Sequence, residues 1–124
     1  MFFVLGEIAP DQFLMVNATS QVEKGLSQLR RRMQRFGCTA ESVSVQFRPG
    51  EHPFISKDTL VDCSAPWRLS VEQLMNGVEF RLLAEPPNAF FFEAILRAWA
   101  ASPRTLPAHL NAVREQWAPL GITL

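Results

Sequence analysis

The sequence predicts a single α+β domain in which strands come first and helices are inserted or appended. Short β-prone runs occupy the first half of the chain, whereas apolar spacings of three and four mark one inserted segment and the C-terminal part. With 124 residues, of which 48% are hydrophobic, the chain can bury one core without disulfides or a structural metal. No repeat, low-complexity run or linker divides it, so residues 1–124 are predicted to form one domain.

The first two strands are predicted to form a hairpin. The runs "FFVLGEI" and "QFLMVNATS" are rich in Phe and Val, and Ala9, Pro10 and Asp11 lie between them. The Pro-Asp pair is typical of a turn.

A helix is predicted to begin at Ser20. Ser20 and Glu23 have the spacing of a capping box, and Gly37 can end the helix in the left-handed conformation. One apolar stripe runs along it, formed by Val22, Leu26, Leu29, Met33 and Phe36. The other faces carry basic side chains from Lys24 to Arg35.

The middle of the chain returns to strand patterns. "SVSVQF" alternates with period two and is predicted to end at the Pro49-Gly50 turn. "FISKDTLVDC" is predicted as the next strand, and Trp67 with Leu69 suggest another short one. Ser70 and Gln73 have capping-box spacing at the start of the short helix "SVEQLMN", and "VEFRLLA" returns to a strand pattern.

Two helices are predicted at the C-terminal end. The first, capped by Asn88, runs from Ala89 to about Ser102 and is apolar almost all round. The second begins near Pro107. Because a chain of this size has little core left to cover both flanks of an all-apolar helix, the first of these helices predicts a homodimer.

Composition limits the classes of function. Twelve basic and twelve acidic side chains cancel, so binding to nucleic acid would need a local basic patch. The opening "MFFVLGEIAP" has no basic segment, contains Glu7 and is too short to span a bilayer, so we expect a first strand, a cytoplasmic protein and no membrane association. Cys38 and Cys63 are expected to be free thiols in a reducing compartment.

Three segments carry a family resemblance: "FLMVNATS", "PGEHPFISKDTLVDCSAPWRLSVEQL" and "SPRTLP". From Val4 to Leu106 the chain resembles a family of small bacterial proteins that is in turn distantly similar to the PemK/MazF toxins of toxin-antitoxin systems. The resemblance implies a small SH3-like β-barrel, a homodimer, an antitoxin partner and RNA cleavage without metal or other cofactor. With the helices predicted from the residue pattern, the expected fold is such a barrel with an inserted basic helix and two C-terminal helices. The toxins' motif near the first strand contains an Arg-Pro pair that helps bind and cleave RNA, and the first predicted strand here has no such arginine. The basic helix stands where the toxins have a loop.

RNA cleavage without a metal needs a base, a cation and an acid within hydrogen-bond reach of one another. Under the resemblance, the candidate catalytic residues are His52, Lys57, Asp58 and Thr19, and the candidate RNA-binding residues are Arg48, Arg30, Arg31, Arg35 and Ser20. His52 would act as acid or base, Lys57 or Arg48 would hold the phosphate, and Asp58 would orient the histidine. We expect the site in a shallow groove near Thr19, His52 and Lys57, with the helix arginines at its rim.

Each candidate also has a structural interpretation. His52 precedes a proline and is typical of a turn. Adjacent strand residues such as Lys57 and Asp58 point to opposite faces, Thr19 and Ser20 suit a strand end and a helix N-cap, and the arginines suit a solvated helix face. A metal site is not predicted, because no pair of Glu, His, Asp or Cys has a recognisable ligand spacing.

Two functions therefore remain open. The first is a toxin-like protein acting on RNA, either an endoribonuclease or its degenerate relative. The alternative is a non-enzymatic protein-protein interaction module of bacterial or phage origin, in which the basic and aromatic helices bind a partner.

Overall fold

The computed structural model describes residues 2–73 and 89–124, and it confirms an α+β architecture. The strands are β1 (Phe2–Ala9), β2 (Gln12–Thr19), β3 (Ser44–Phe47) and β4 (Thr59–Ser70). They form an antiparallel sheet in the order β1-β2-β4-β3, curled into a half-barrel. The helices are α1 (Val22–Met33), α2 (Ala89–Ala101) and α3 (Pro107–Trp117), so a basic helix is inserted between strands and two helices follow the sheet as predicted.

The predicted hairpin is confirmed. β1 and β2 pair antiparallel from Phe2 opposite Asn17 to Ala9 opposite Gln12. Asp11 has a φ of 63° in the connecting turn, a left-handed conformation in which aspartate is enriched relative to most side chains.

β4 corrects the prediction of two strands in the middle of the chain. Residues 54–58 form a loop, and the strand runs without a break for twelve residues from Thr59, past Trp67, to Ser70. Asn17 pairs with Asp62, yet Met15 pairs with Trp67, so β4 carries extra residues between these two pairs. This bulge contains Pro66, which cannot donate to a ladder. Because a bulge bends its strand and increases the twist, it accounts for the curl of the sheet.

The inner face of the sheet packs against α2 and α3. The core there includes Phe3, Leu5, Val16, Val61, Phe91, Ile95, Leu96, Trp99 and Val113. Within α2, Trp99 is only 1% exposed, and the side chains described as exposed are Ala94, Arg97 and Ala101. From Phe91 to Ala101 the curled sheet and α3 cover the large apolar side chains of α2, so the expectation of an uncovered apolar flank is wrong for this part of the helix. The homodimer stays a prediction, without this support.

The outer face of the sheet packs against α1. Leu26, Leu29 and Met33 of α1 form a second core with Ala40, Val43 and Leu60. The helix lies so close to β4 that a Cβ at Gly25 would be 2.8 Å from Leu60 Cδ2.

The ends of the helices differ in part from the predictions. The N-cap of α1 is Gln21 rather than Ser20 and has no side-chain cap. Instead, the Thr19 hydroxyl accepts a hydrogen bond from the Gln21 N–H at 3.1 Å, so the Ser20 capping box is not formed. Gly37, with a φ of 64°, terminates the short 3-10 turn that follows α1, as predicted.

The capping box at Ser70 is confirmed. The Ser70 N–H donates to Gln73 Oε1 at 2.9 Å, and the Gln73 N–H donates to Ser70 Oγ at 3.1 Å. The rest of that helix, the strand predicted for "VEFRLLA" and the Asn88 cap lie outside the described residues. Among the helices that are described, none has the length and apolar character needed to cross a bilayer.

Candidate functional site

Two grooves flank the start of α1. One, of about 810 Å³, lies between the first turn of α1 and the loop joining β3 to β4, and we call it the Arg48 groove. The other, of about 730 Å³, lies between α1 and the outer face of β2 and β4, and we call it the Trp67 groove. Gln21 and Lys24 line both, so the two grooves meet at the first turn of α1.

The Trp67 groove has an aromatic wall. Its floor is formed by the sheet and its helical wall by one face of α1, while Ala65, Pro66 and Trp67 of the β4 bulge form the opposite wall. Trp67 is 60% exposed, which is unusual for so large an apolar side chain. Because the bulge shifts the register between Asp62 and Trp67, both side chains lie on the outer face and line the same groove.

Asp62 holds the floor of this groove in place. Its Oδ1 accepts hydrogen bonds from the Ser64 N–H at 2.9 Å and the Ser64 hydroxyl at 2.6 Å. Its Oδ2 lies 2.6 Å from Arg32 Nη2, in an ion pair with α1. From the inner side, the Ser102 hydroxyl donates to the Ser64 carbonyl at 3.0 Å. The bulge is thus fixed from both faces of the sheet.

A basic stripe runs along the solvent side of α1 beside this groove. It consists of Lys24 and Arg31, at helical positions i and i+7 with Gln28 at i+4, and it continues to Arg35 in the 3-10 turn that follows α1. Of these residues, Lys24 and Gln28 line the Trp67 groove. All are exposed, and none forms an ion pair with any carboxylate in residues 2–73 or 89–124. The stripe therefore gives a locally basic surface to a chain whose overall charge is zero.

Arg30 is engaged on another side of α1. Its Nη2 lies 3.0 Å from Glu41 Oε1. A backbone hydrogen bond to Glu41, together with this guanidinium, lowers the pKa of the Glu41 carboxyl. Arg30, although predicted to bind RNA, is thus already paired with a carboxylate.

The Arg48 groove brings three predicted site residues together. Ser20, Arg48 and Asp58 all line it, and so do the carboxylates of Glu23 and Glu51. With three carboxylates against Arg48 and Lys24, this groove is less suited to a polyanion than the Trp67 groove.

His52 lies away from both grooves. Its ring is 4.6 Å from that of Phe91, 5.5 Å from that of Phe47 and 5.7 Å from that of Phe54, measured between centroids. Its imidazole makes no hydrogen bond within the described part of the chain. The ring thus extends the aromatic cluster of the inner core.

The remaining catalytic candidates do not converge on His52. Thr19 lines the Trp67 groove, and Lys57 is an exposed loop residue that lines neither groove. Since residues 54–58 are not strand, the expectation that Lys57 and Asp58 point to opposite faces does not apply. Across residues 2–73 and 89–124, no three His, Cys, Asp or Glu side chains cluster as metal ligands would.

Sequence reasoning missed the wall and the floor of the Trp67 groove. The residue pattern around Trp67 indicates a strand and no site. A signal was present, because a proline directly before a tryptophan inside a strand pattern indicates a bulge or an edge. The ion pair of Asp62 with Arg32 joins residues thirty positions apart and leaves no local signal.

Comparison of the chain with protein-family models, with curated proteins and with solved structures finds no match. The fold and the grooves define an α+β domain with a curled antiparallel half-barrel and an aromatic, basic-rimmed groove. The resemblance to the PemK/MazF toxins accordingly rests on the sequence motifs alone.

Proposed function

We propose that the protein is a non-catalytic RNA-binding module of the toxin-like, SH3-like barrel class, and that it holds single-stranded RNA in the Trp67 groove. The observation that carries this proposal is a 60% exposed tryptophan that lies across one groove from Lys24, the first residue of the basic stripe of α1. Proteins that bind single strands combine these two features, because bases stack on aromatic rings while phosphates follow basic side chains.

The form of the groove favours a single strand over a duplex. Trp67 lies on the wall of a groove and not on a protruding edge, so a base must leave its stack to reach the ring. Single-stranded RNA offers such unstacked bases, whereas a duplex keeps the faces of its bases covered.

The distribution of the catalytic candidates favours binding over cleavage. Cleavage requires an acid, a base and a cation in contact with one phosphate. His52 packs against Phe91, Lys57 is in a loop outside the grooves, and Thr19 already accepts the Gln21 N–H. This distribution supports a degenerate relative of the toxins in preference to an active endoribonuclease.

Binding should be measured by fluorescence polarisation of a short labelled single-stranded RNA over a range of salt concentrations. The test variant is Arg31→Gln with Arg35→Gln. Each cation that neutralises a phosphate of a single strand contributes about 0.7 to the slope of log K against log salt, so removing both should reduce the slope by about 1.4.

The matched control is Arg97→Gln with Arg104→Gln, which removes the same charge from exposed positions in and after α2, away from the basic stripe of α1. This control should bind as the wild type does. Equal losses of affinity in both double variants would show that only the net charge of the protein matters and not the basic stripe. A wild type that does not bind RNA would contradict the proposal. Gel analysis of the same samples should show intact RNA, whereas cleavage that disappears in His52→Ala would indicate an enzyme.

A second candidate, protein-protein interaction, is favoured by apolar side chains beside Trp67. Phe2 and Val4 of β1 are 43% and 41% exposed, and Val4, Met15 and Trp67 are paired in register across three strands. Such a surface suits a second copy of the chain or an antitoxin. Sedimentation equilibrium tests the homodimer directly: self-association that Val4→Lys abolishes would support it, and a monomeric wild type would exclude it.

A further inference from the structure

We propose that Asp62 determines base specificity in the Trp67 groove, so that the base stacked on Trp67 is one with an exocyclic amino group, cytosine among the pyrimidines. This inference rests on the proposed RNA binding. It adds which side of the groove the bases face and which residue selects among them.

The hydrogen bonds of Asp62 leave room for one more donor. A carboxylate has about four acceptor sites on its two oxygens. Among the described residues, Oδ1 accepts two hydrogen bonds from Ser64 and Oδ2 accepts one from Arg32. The fourth site is on Oδ2, and the Asp62 side chain is 25% exposed, so a ligand in the groove can reach it.

The position of Asp62 matches the edge of a base that stacks on Trp67. Along β2, the pair Met15 with Trp67 is followed on the same face by the pair Asn17 with Asp62. Two residues of strand correspond to about 7 Å. A base whose ring stacks on Trp67 can span this separation with its Watson–Crick edge and one hydrogen bond to the Asp62 carboxylate.

The charge of Asp62 also determines which part of the RNA, the bases or the phosphates, lies on the floor of the Trp67 groove. A carboxylate on the floor repels phosphate, while the basic stripe on α1 attracts it. The bases therefore lie against the sheet and the backbone lies along α1. Arg32, already paired with Asp62, is not one of the phosphate contacts.

Cytosine and uracil differ at the atom that would meet Asp62. Cytosine presents the N4 amino group as a donor at one end of its edge, whereas uracil presents O4 there, an acceptor that a carboxylate repels, and the N3–H donor of uracil lies between two carbonyl oxygens. Since the two bases have the same size and stack similarly, the carboxylate alone separates them.

The test compares oligocytidylate with oligouridylate of equal length on the full chain at fixed salt. The wild type should bind the cytosine strand about tenfold more tightly, the effect of one hydrogen bond to a charged group. Asp62→Asn keeps an oxygen for the Ser64 bonds and can place an amide N–H at the fourth site. We expect it to remove or reverse the preference.

Asp11→Asn is the matched control, because it makes the same change of charge in the β1–β2 turn, outside both grooves; it should leave the preference unchanged. Arg32→Gln is the second variant: it frees an acceptor site on Asp62 and should enlarge the preference for cytosine. If Asp62→Asn does not fold, this variant decides.

Equal binding of the two strands by the wild type, or a preference that survives Asp62→Asn or is unaffected by Arg32→Gln, would overturn the inference while leaving RNA binding intact. Failure of the wild type to bind either strand would instead overturn the proposed function and this inference with it.

Discussion

Trp99 and Trp67 lie in opposite environments on the two sides of one curled sheet. Trp99, in α2, is 1% exposed within the core of the inner face, whereas Trp67, in β4, is 60% exposed on the outer face. The sequence pattern predicts an interface on the all-apolar helix that contains Trp99, and only a short strand at Trp67. The difference shows that aromatic content alone does not distinguish a core segment from a binding surface. Whether an aromatic side chain is buried depends on which other helices and strands pack against its own.

The polar groups of the two regions differ in the same way. On the inner face they satisfy buried backbone atoms, as where the Trp117 N–H donates to the Leu5 carbonyl at 2.6 Å. On the outer face, Asp62 fixes the bulge and pairs with Arg32 while staying partly exposed. The hydrogen bonds of the inner face thus stabilise a closed core, whereas those of Asp62 stabilise the floor of an open groove.

The largest effect should come from truncating the buried tryptophan. Trp99→Ala is expected to lower the free energy of unfolding by about 3–5 kcal/mol, because it leaves a large cavity in a packed core. Trp67→Ala should change it by less than about 0.5 kcal/mol, as exposed substitutions do. Urea unfolding of both variants measures the difference, and comparable decreases would show that Trp67 has a structural role.

A second prediction concerns the thiol of Cys63, which is buried next to Asp62 in β4. Burial, and then the charge of Asp62, raises the pKa of Cys63 far above its usual value. The folded state therefore keeps the thiol proton when the unfolded chain has lost it. The free energy of unfolding should be unaffected below the unfolded thiol's pKa and should fall by up to about 1.4 kcal/mol per pH unit above about pH 8.5.

Variants of the two cysteines isolate this alkaline decrease in stability. Cys63→Ala should show a shallower decline with pH than the wild type, whereas Cys38→Ala, which changes the half-buried thiol, should retain the full slope. Identical slopes in all three proteins would mean that Cys63 does not keep its proton on folding.

Much of the fold could be predicted because its signals are local. The Pro10-Asp11 turn, the apolar stripe of α1 and the Ser70 capping box each depend on residues within a few positions of one another. The bulge in β4 has one local signal, Pro66, but its geometry could not be predicted, because it depends on the Ser102 hydroxyl, just after α2, donating to the Ser64 carbonyl. The burial of α2 likewise depends on how far the sheet curls.

The site was predictable to a smaller extent for the same reason. Ser20, Arg48 and Asp58 do line one groove, as a motif-based argument can anticipate for residues near two adjoining turns. The Trp67 groove requires α1 to lie over β4, and that arrangement follows from the close approach at Gly25 and the apolar contacts around Leu60.

The last prediction, of a smaller effect than that of Trp99→Ala, tests His52, which packs on the inner face of the sheet although its sequence context suggested a site. His52→Ala should lower the free energy of unfolding by about 1 kcal/mol, because aromatic contacts of this kind contribute about 0.5–1.5 kcal/mol beyond the area they bury. His52→Phe should recover part of this stability, since a phenyl ring can keep the packing against Phe54 and Phe91.

Neither change should alter RNA affinity per folded molecule, because His52 lines neither groove. Thermal unfolding and polarisation titrations on the same preparations measure both quantities. Should both variants keep full stability and yet abolish an activity on RNA, His52 would belong to a catalytic site, and the division between a closed inner face and a functional outer face would be wrong.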